Sequence, residues 1–156
     1  MCGIFGLLSE HHINQDHLRQ LAHHARQRGR DSSGLVFYEA NAYMVKRADY
    51  DIKQLLARQG HLCTQAIMGH SRLITNGLSD NQPVIRDGIC LIHNGIIVNE
   101  DEVWGQLDIE RKFQIDSETI VGITLQHLSQ GGKLDDLPKK VLAMCKGTIS
   151  CAPNDV

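Results

Sequence analysis

The run Cys2-Gly3-Ile4-Phe5-Gly6-Leu7-Leu8 decides how the rest of the chain is read. It is apolar with two glycines and predicts a buried strand beginning almost at the chain terminus. A strand starting there buries the terminus with it. Downstream, Leu18, Leu21, Ala22 and Ala25 recur at helical spacing, with Asn14 placed to cap the start and Gly29 the end. Arg28 to Gly34 reads as a polar loop. Ser33 to Tyr38 and Ala42 to Arg47 read as two strands joined by the turn-like Glu39-Ala40-Asn41, and Asp51 to Gln59 as a short helix ending at Gly60.

The second half continues the mixed pattern. Ala66 to Leu73 predicts a strand running into a loop, Thr75 to Asp87, rich in Asn, Asp, Gly and Pro. Ile89 to Val98 is almost entirely apolar except for His93-Asn94-Gly95 at its centre. Helices follow over Glu100 to Leu107, from Asp116 or Ser117 to Ser129 with Gly131-Gly132 as the stop, and after Asp135 or Asp136. The last of these presents Leu137, Val141, Leu142 and Cys145 on one face. Thr148 to Cys151 begins a final strand, and Ala152 to Val156 shows no apolar pattern. The elements describe an α+β chain with no repeat or linker.

With 156 residues and 42% hydrophobic content, the sequence is sized for one domain spanning residues 1–156. Sixteen Lys and Arg against eighteen Asp and Glu, dispersed along the chain, give no basic footprint for nucleic acid. No apolar run approaches the ~18 residues of a membrane span, and no signal peptide is recognisable, so a cytoplasmic location without a membrane partner is expected. The five cysteines lack a C-x-x-C pair, which argues against a disulfide framework or a zinc site. Cys63, Cys90, Cys145 and Cys151 read as small buried hydrophobes. His11-His12 and His23-His24 have no further ligands at metal spacing, so neither a metal nor a cofactor is expected.

Several polar residues fall at the ends or centres of predicted strands: Cys2, Arg72, Asn94-Gly95 and Asp116. Each has an ordinary structural reading beside a functional one. Asn-Gly between apolar runs is a strong signal for a type I′ hairpin. Asp116 could be a helix cap, Arg72 a surface residue and Cys2 a core thiol.

Taken in order, however, five segments resemble the glutaminase domain of class II glutamine amidotransferases: Met1-Cys2-Gly3-Ile4-Phe5-Gly6, Arg28-Gly29-Arg30-Asp31-Ser32-Ser33-Gly34, Gly69-His70-Ser71-Arg72, His93-Asn94-Gly95-Ile96 and Asp116-Ser117-Glu118. The resemblance implies an αββα sandwich of two antiparallel sheets between helices, the N-terminal nucleophile hydrolase type. It implies hydrolysis of the glutamine side-chain amide, with Cys2 as nucleophile after removal of Met1 and its own α-amino group as base. Asn94 and Gly95 match the oxyanion donors, Arg72 the residue holding the substrate α-carboxylate, Asp116 the one holding its α-ammonium, and Thr75 a further pocket residue. Arg28, Asp31 and Gly34 match the loop supporting the nucleophile, with a solvated turn as their plain alternative.

The sequence departs from the family in two places. Leu73-Ile74-Thr75-Asn76 replaces the Trp-Ala-Thr-His found in one branch, so the pocket lip differs. Family domains also continue with several strands beyond the one starting near Thr148, so the second sheet is expected to be incomplete at its C-terminal end. No synthase domain is recognisable, and a partner subunit or missing domain is expected to accept the ammonia. A catalytically inactive module that binds glutamine or a partner is the alternative.

Overall fold

A computed structural model of the chain describes residues 2–73 and 81–155. Its first sheet contains β1 (Gly3–Leu8), β2 (Ser32–Glu39), β3 (Ala42–Ala48) and β4 (Ala66–Arg72) in the order β1-β4-β2-β3, all antiparallel. The second contains β5 (Val84–Arg86), β6 (Ile89–Ile97) and β7 (Gly147–Asp155) in sequence order, also antiparallel. Helices α1 (Gln15–Arg26) and α2 (Ile52–Gln59) cover the outside of the first sheet. Helices α3 (Glu100–Trp104), α4 (Ser117–Ser129) and α5 (Leu137–Met144) serve the second, with α4 packed directly on β6. The expected αββα layering is what the chain forms.

Alternation along the strands explains the layers. Leu35 and Phe37 of β2 join Leu18, Ala22, Ile52 and Leu55 in one apolar core. Ile89, Leu91 and Ile97 of β6 join Ile120, Val121, Leu137 and Val141 in another. Val36, Cys90 and Ile92 are buried but belong to neither, because neighbouring residues of a strand point to opposite faces; they lie between the sheets. There β1 and β4 both contact β6. Gly34 lies at this closure: a Cβ on it would run into the Gln82 carbonyl and the Pro83 ring.

Helix ends follow local chemistry. Asn14 caps α1 by accepting from the Asp16 and His17 N–H groups, and Asp51 caps α2 in the same way through Lys53 and Gln54. The expected stop of α1 at Gly29 is displaced: Arg26 ends the helix and Gln27 caps it, while Gly29 lies against the Arg72 backbone. The expected loop before Asp87 contains β5, which returns through Asp87-Gly88, both at positive φ, into β6. The tail thought to lack a pattern extends β7 instead, pairing along β6 from Ile97↔Gly147 to Ile89↔Asp155. Leu142, expected on the packed face of α5, is exposed, and so is Cys63. Among the described residues no helix is long and apolar enough to cross a membrane.

Candidate functional site

Asn94 and Gly95 lie inside β6, opposite Ser150 and Ile149, and neither has a positive φ. The hairpin reading therefore fails. The tight reversals are instead at Ala40-Asn41, with φ of 51° and 63°, and at Asp87-Gly88. Holding Asn94 in a strand fixes its side chain beside the chain's first described residue: the Cys2 backbone nitrogen donates to Asn94 Oδ1 at 3.0 Å. Because that nitrogen can only donate, the amide oxygen must face it and Nδ2 is left for another acceptor.

Gly95 is required by packing as well. A Cβ there would overlap the Thr148 carbonyl and come within 2.7 Å of His93 Nε2. Its backbone can thus line the cleft only without a side chain.

Asp116 precedes α4 yet makes no capping hydrogen bond with its side chain. Its carboxylate turns toward β6, where Oδ2 accepts the Ile97 N–H at 3.0 Å. The segment leading to it is anchored from below by Glu118, which is fully buried. Glu118 accepts from Arg86 Nη1 at 2.8 Å and from the Lys112 and Phe113 N–H groups, the latter at 2.6 Å. An isolated buried carboxylate would be very costly, and these partners are what make it tenable.

From the first sheet, β4 brings Arg72 to the same place. It is buried, with Nη1 3.5 Å from Asn81 Oδ1. The 28–31 loop closes over the ends of β1 and β4: Arg28 Nε donates to the Cys2 carbonyl at 3.2 Å, Ser71 Oγ to the Gly29 carbonyl at 2.7 Å, and Asp31 N to the Arg72 carbonyl at 3.0 Å. The loop thus touches the Cys2 strand while Arg28, Arg30 and Asp31 keep exposed side chains, so it is a solvated turn as well as a contact.

Cys2, Arg72, Gly95 and Asp116 line one cleft of about 220 Å³ between the sheets. Asn94 joins it through its bond to Cys2, Arg28 and Asp31 do not line it but bond to the Cys2 and Arg72 carbonyls, Gly34 lies at the sheet closure, and Thr75 falls outside the described residues. No family model matches the chain. Its sequence is 31% identical to glutamine–fructose-6-phosphate aminotransferase (isomerizing) of Wigglesworthia glossinidia brevipalpis, over 99% of this chain and 27% of that protein. It is 30% identical to amidophosphoribosyltransferase of Pasteurella multocida, over 95% of this chain and 32% of that protein. The chain is a relative of the class II glutamine amidotransferases. It spans roughly a quarter to a third of those relatives' length. In fold it resembles glutamine phosphoribosylpyrophosphate amidotransferase from B. subtilis, solved with ADP and GMP, at a TM-score of 0.78 and 23% identity over 99% of this chain and 35% of that one. A glutamine aminotransferase class-II domain protein from Silicibacter pomeroyi matches at 0.56 and 18% identity, over 80% of this chain and 65% of that one.

The cleft between the sheets contains residues that sequence reasoning did not single out. Gln82, His93, Glu100 and Gln114 also line it. His93 is buried, and burial is the main force holding its pKa below the usual histidine value, against the Asp116 carboxylate and the Thr148 backbone, which pull the other way. Nearby His70 is driven down to about 3, first by burial and then by the positive charge of Arg72, with the neighbouring His93 ring adding to the fall and a His93 backbone hydrogen bond opposing it. Both rings are therefore neutral at physiological pH. Burial also lifts the Cys90 thiol to about 11, which keeps it an inert core group. Among the described residues no three His, Cys, Asp or Glu side chains gather as a metal set.

Proposed function

We propose that this domain hydrolyses the side-chain amide of glutamine to glutamate and ammonia. The observation that carries the reading is the 3.0 Å contact between the Cys2 nitrogen and Asn94 Oδ1, in a cleft that also presents Arg72, Gly95 and Asp116. Removal of Met1 would turn that nitrogen into an α-amino group, whose pKa of ~7.7 to 8.0 suits a base working near neutrality. The amine takes the thiol proton as Sγ bonds to the amide carbon. It returns the proton to nitrogen as the C–N bond breaks and ammonia leaves. Water then attacks the thioester, and glutamate departs as the thiol is restored. No cofactor enters these steps.

The oxyanion formed at each attack is met by Asn94 Nδ2, left free by the bond its oxygen accepts, and by the Gly95 N–H. Arg72 binds the α-carboxylate with its planar guanidinium, and Asp116 binds the α-ammonium. The two charges select free glutamine over a glutamine within a peptide. Thr75 is assigned to substrate binding on the sequence resemblance alone, and Arg28, Asp31 and Gly34 to holding the nucleophile strand in place. The ammonia passes to an acceptor site on a partner subunit or a further domain, the arrangement suggested by the names and the greater length of the relatives. No observation favours an inactive glutamine-binding module.

The test pairs intact mass with an ammonia-release assay. Protein lacking Met1 should release ammonia from glutamine, and Cys2→Ala should abolish release. Turnover that persists in Cys2→Ala, or processed wild type that releases none, overturns the reading.

A further inference from the structure

The Gly95 amide and the Asp116 carboxylate belong to different elements, one to a strand and the other to the entrance of a helix. Something must set the distance between them. In the β5–β6 ladder Val84 pairs with Leu91, so continuing the register would place residue 82 opposite His93. The paired strand β5 starts only at Val84. At that break the side chain of Gln82 takes over from the backbone: its Oε1 accepts the His93 N–H at 2.6 Å. The same amide then reaches to α4, where Nε2 donates to Ser117 Oγ at 3.1 Å. Ser117 Oγ in turn lies 3.0 Å from His93 Nδ1 and 3.4 Å from Asp116 Oδ1. Gln82, His93 and Ser117 are all at least 95% buried, with relative exposures of 5%, 2% and 0%.

We propose that Gln82 is a positioning residue: its one buried amide ties β6 to the start of α4 and so fixes the Gly95 oxyanion donor relative to the Asp116 ammonium ligand. The orientation of the amide is determined, because the His93 N–H can only face oxygen. Its two bonds serve different parts of the reaction. The arm to His93 holds the strand two residues before Gly95, a donor that matters most in the transition state. The arm to Ser117 holds the helix entrance beside Asp116, which grips the substrate already in the ground state. The closed packing around Gly34 and the Gln82 carbonyl keeps the residue seated from the first sheet. This inference rests on the glutamine-hydrolysis reading above.

Two substitutions separate the arms in the Met1-processed protein. Gln82→Met keeps the side chain's length and removes both bonds. It should lower kcat by up to about 100-fold, the scale of a small misplacement of a catalytic donor, and should also raise KM. Ser117→Ala keeps the bond to His93 and cuts the tie to α4, so it should raise KM for glutamine by a larger factor than it lowers kcat. In both variants the rate of Cys2 alkylation by iodoacetamide should fall by less than kcat/KM, since Cys2 meets this chain of bonds only through the Asn94 side chain. Wild-type kcat and KM in a folded Gln82→Met variant overturn the proposal while leaving glutamine hydrolysis intact. If Gln82→Met does not fold, Ser117→Ala decides: an unchanged KM overturns it. Processed wild type that releases no ammonia instead overturns the underlying reading, and the proposal with it.

Discussion

Two clefts in this molecule differ in a way that separates volume from chemistry. The larger, about 540 Å³, runs between α1 and α2 and is lined by Leu18, Ala22, Leu56 and Ala57, with Arg19, His23, His24 and Lys53 at its rim. The smaller, about 220 Å³, lies between the sheets and holds Cys2, Arg72, Gly95 and Asp116. In the larger one the polar groups sit on flexible surface side chains; Arg19 is 67% exposed and spends its charge on Asp16 one turn away. In the smaller one they are fixed by strands, by a helix entrance and by buried partners. Two helices packed side by side leave a trough wherever small residues such as Ala22 and Ala57 fall. Convergent, immobilised donors and charges require several elements to be arranged around one point, and that is the better mark of a catalytic site.

The comparison can be broken most forcefully at Asn94. Asn94→Ala should remove one oxyanion donor and with it ~2.7 to 4 kcal/mol of transition-state stabilisation, a fall of roughly 100- to 1000-fold in kcat. It also removes the acceptor for the Cys2 nitrogen, so part of the fall reflects a less well-held base. Steady-state ammonia release measures this, and a loss below about tenfold would place the oxyanion elsewhere.

Leu56 probes the other side. It is 9% exposed at the floor of the larger cleft and belongs to the core beneath α1 and α2. Leu56→Ala should destabilise the fold by about 2 kcal/mol, at the low end of the range because the site borders a cleft that solvent can enter. Ammonia release per folded molecule should be unchanged. A urea melt with activity measured below the transition reads both quantities, and a variant of normal stability but reduced kcat/KM would assign the larger cleft a part in the chemistry.

The ability of the sequence to report these two regions was unequal. Around the larger cleft, local rules suffice: Asn14 and Asp51 cap helices whose apolar spacing is plain, and Gly60 closes α2 at a φ of 72°. Around the smaller cleft, the same local rules mislead. Asn94-Gly95 has the composition of a hairpin turn but lies in a strand, because the Cys2 nitrogen and the Thr148 backbone occupy the space around it. Asp116 has the position of a cap but serves β6. Here the ordered resemblance to a family carried information that periodicity could not.

Three further features, β5, Gln82 and Glu118, went unread. Asp87-Gly88 between Val84-Ile85-Arg86 and Ile89 is a hairpin signal in its own right and could have revealed β5. Gln82 and Glu118 left no such trace. A buried amide or carboxylate becomes intelligible only when its partners are known: those of Gln82 lie 11 and 35 residues away, and the charged partner of Glu118, Arg86, lies 32 away, although the Lys112 and Phe113 N–H groups are local.

The smallest effect sharpens the comparison from the helix side. Asp51 sits at the start of α2, whose Lys53, Leu56 and Ala57 help to form the larger cleft. Burial pushes its carboxyl pKa up, but the Gln54 N–H, the Arg26 guanidinium 3.2 Å away and the Lys53 N–H together outweigh burial and hold it below 3.8. A depressed carboxyl pKa means the unfolded chain binds the proton more readily. The stabilisation is therefore complete above the unfolded value and fades as pH falls through the folded one. Asp51→Asn preserves a competent cap while discarding the charge. It should lower stability by ~1 kcal/mol or less at neutral pH, the scale of a partly exposed ion pair, and the difference from wild type should shrink once the pH drops below about 4. Thermal melts from pH 7 to pH 3 test this. A difference that grows toward acid would mean that Asp51 is held by something other than Arg26 and the helix N–H groups. Glutamine turnover at neutral pH should be the same in both proteins, because among the described residues no hydrogen bond or ion pair joins Asp51 to the strand that carries Asn94.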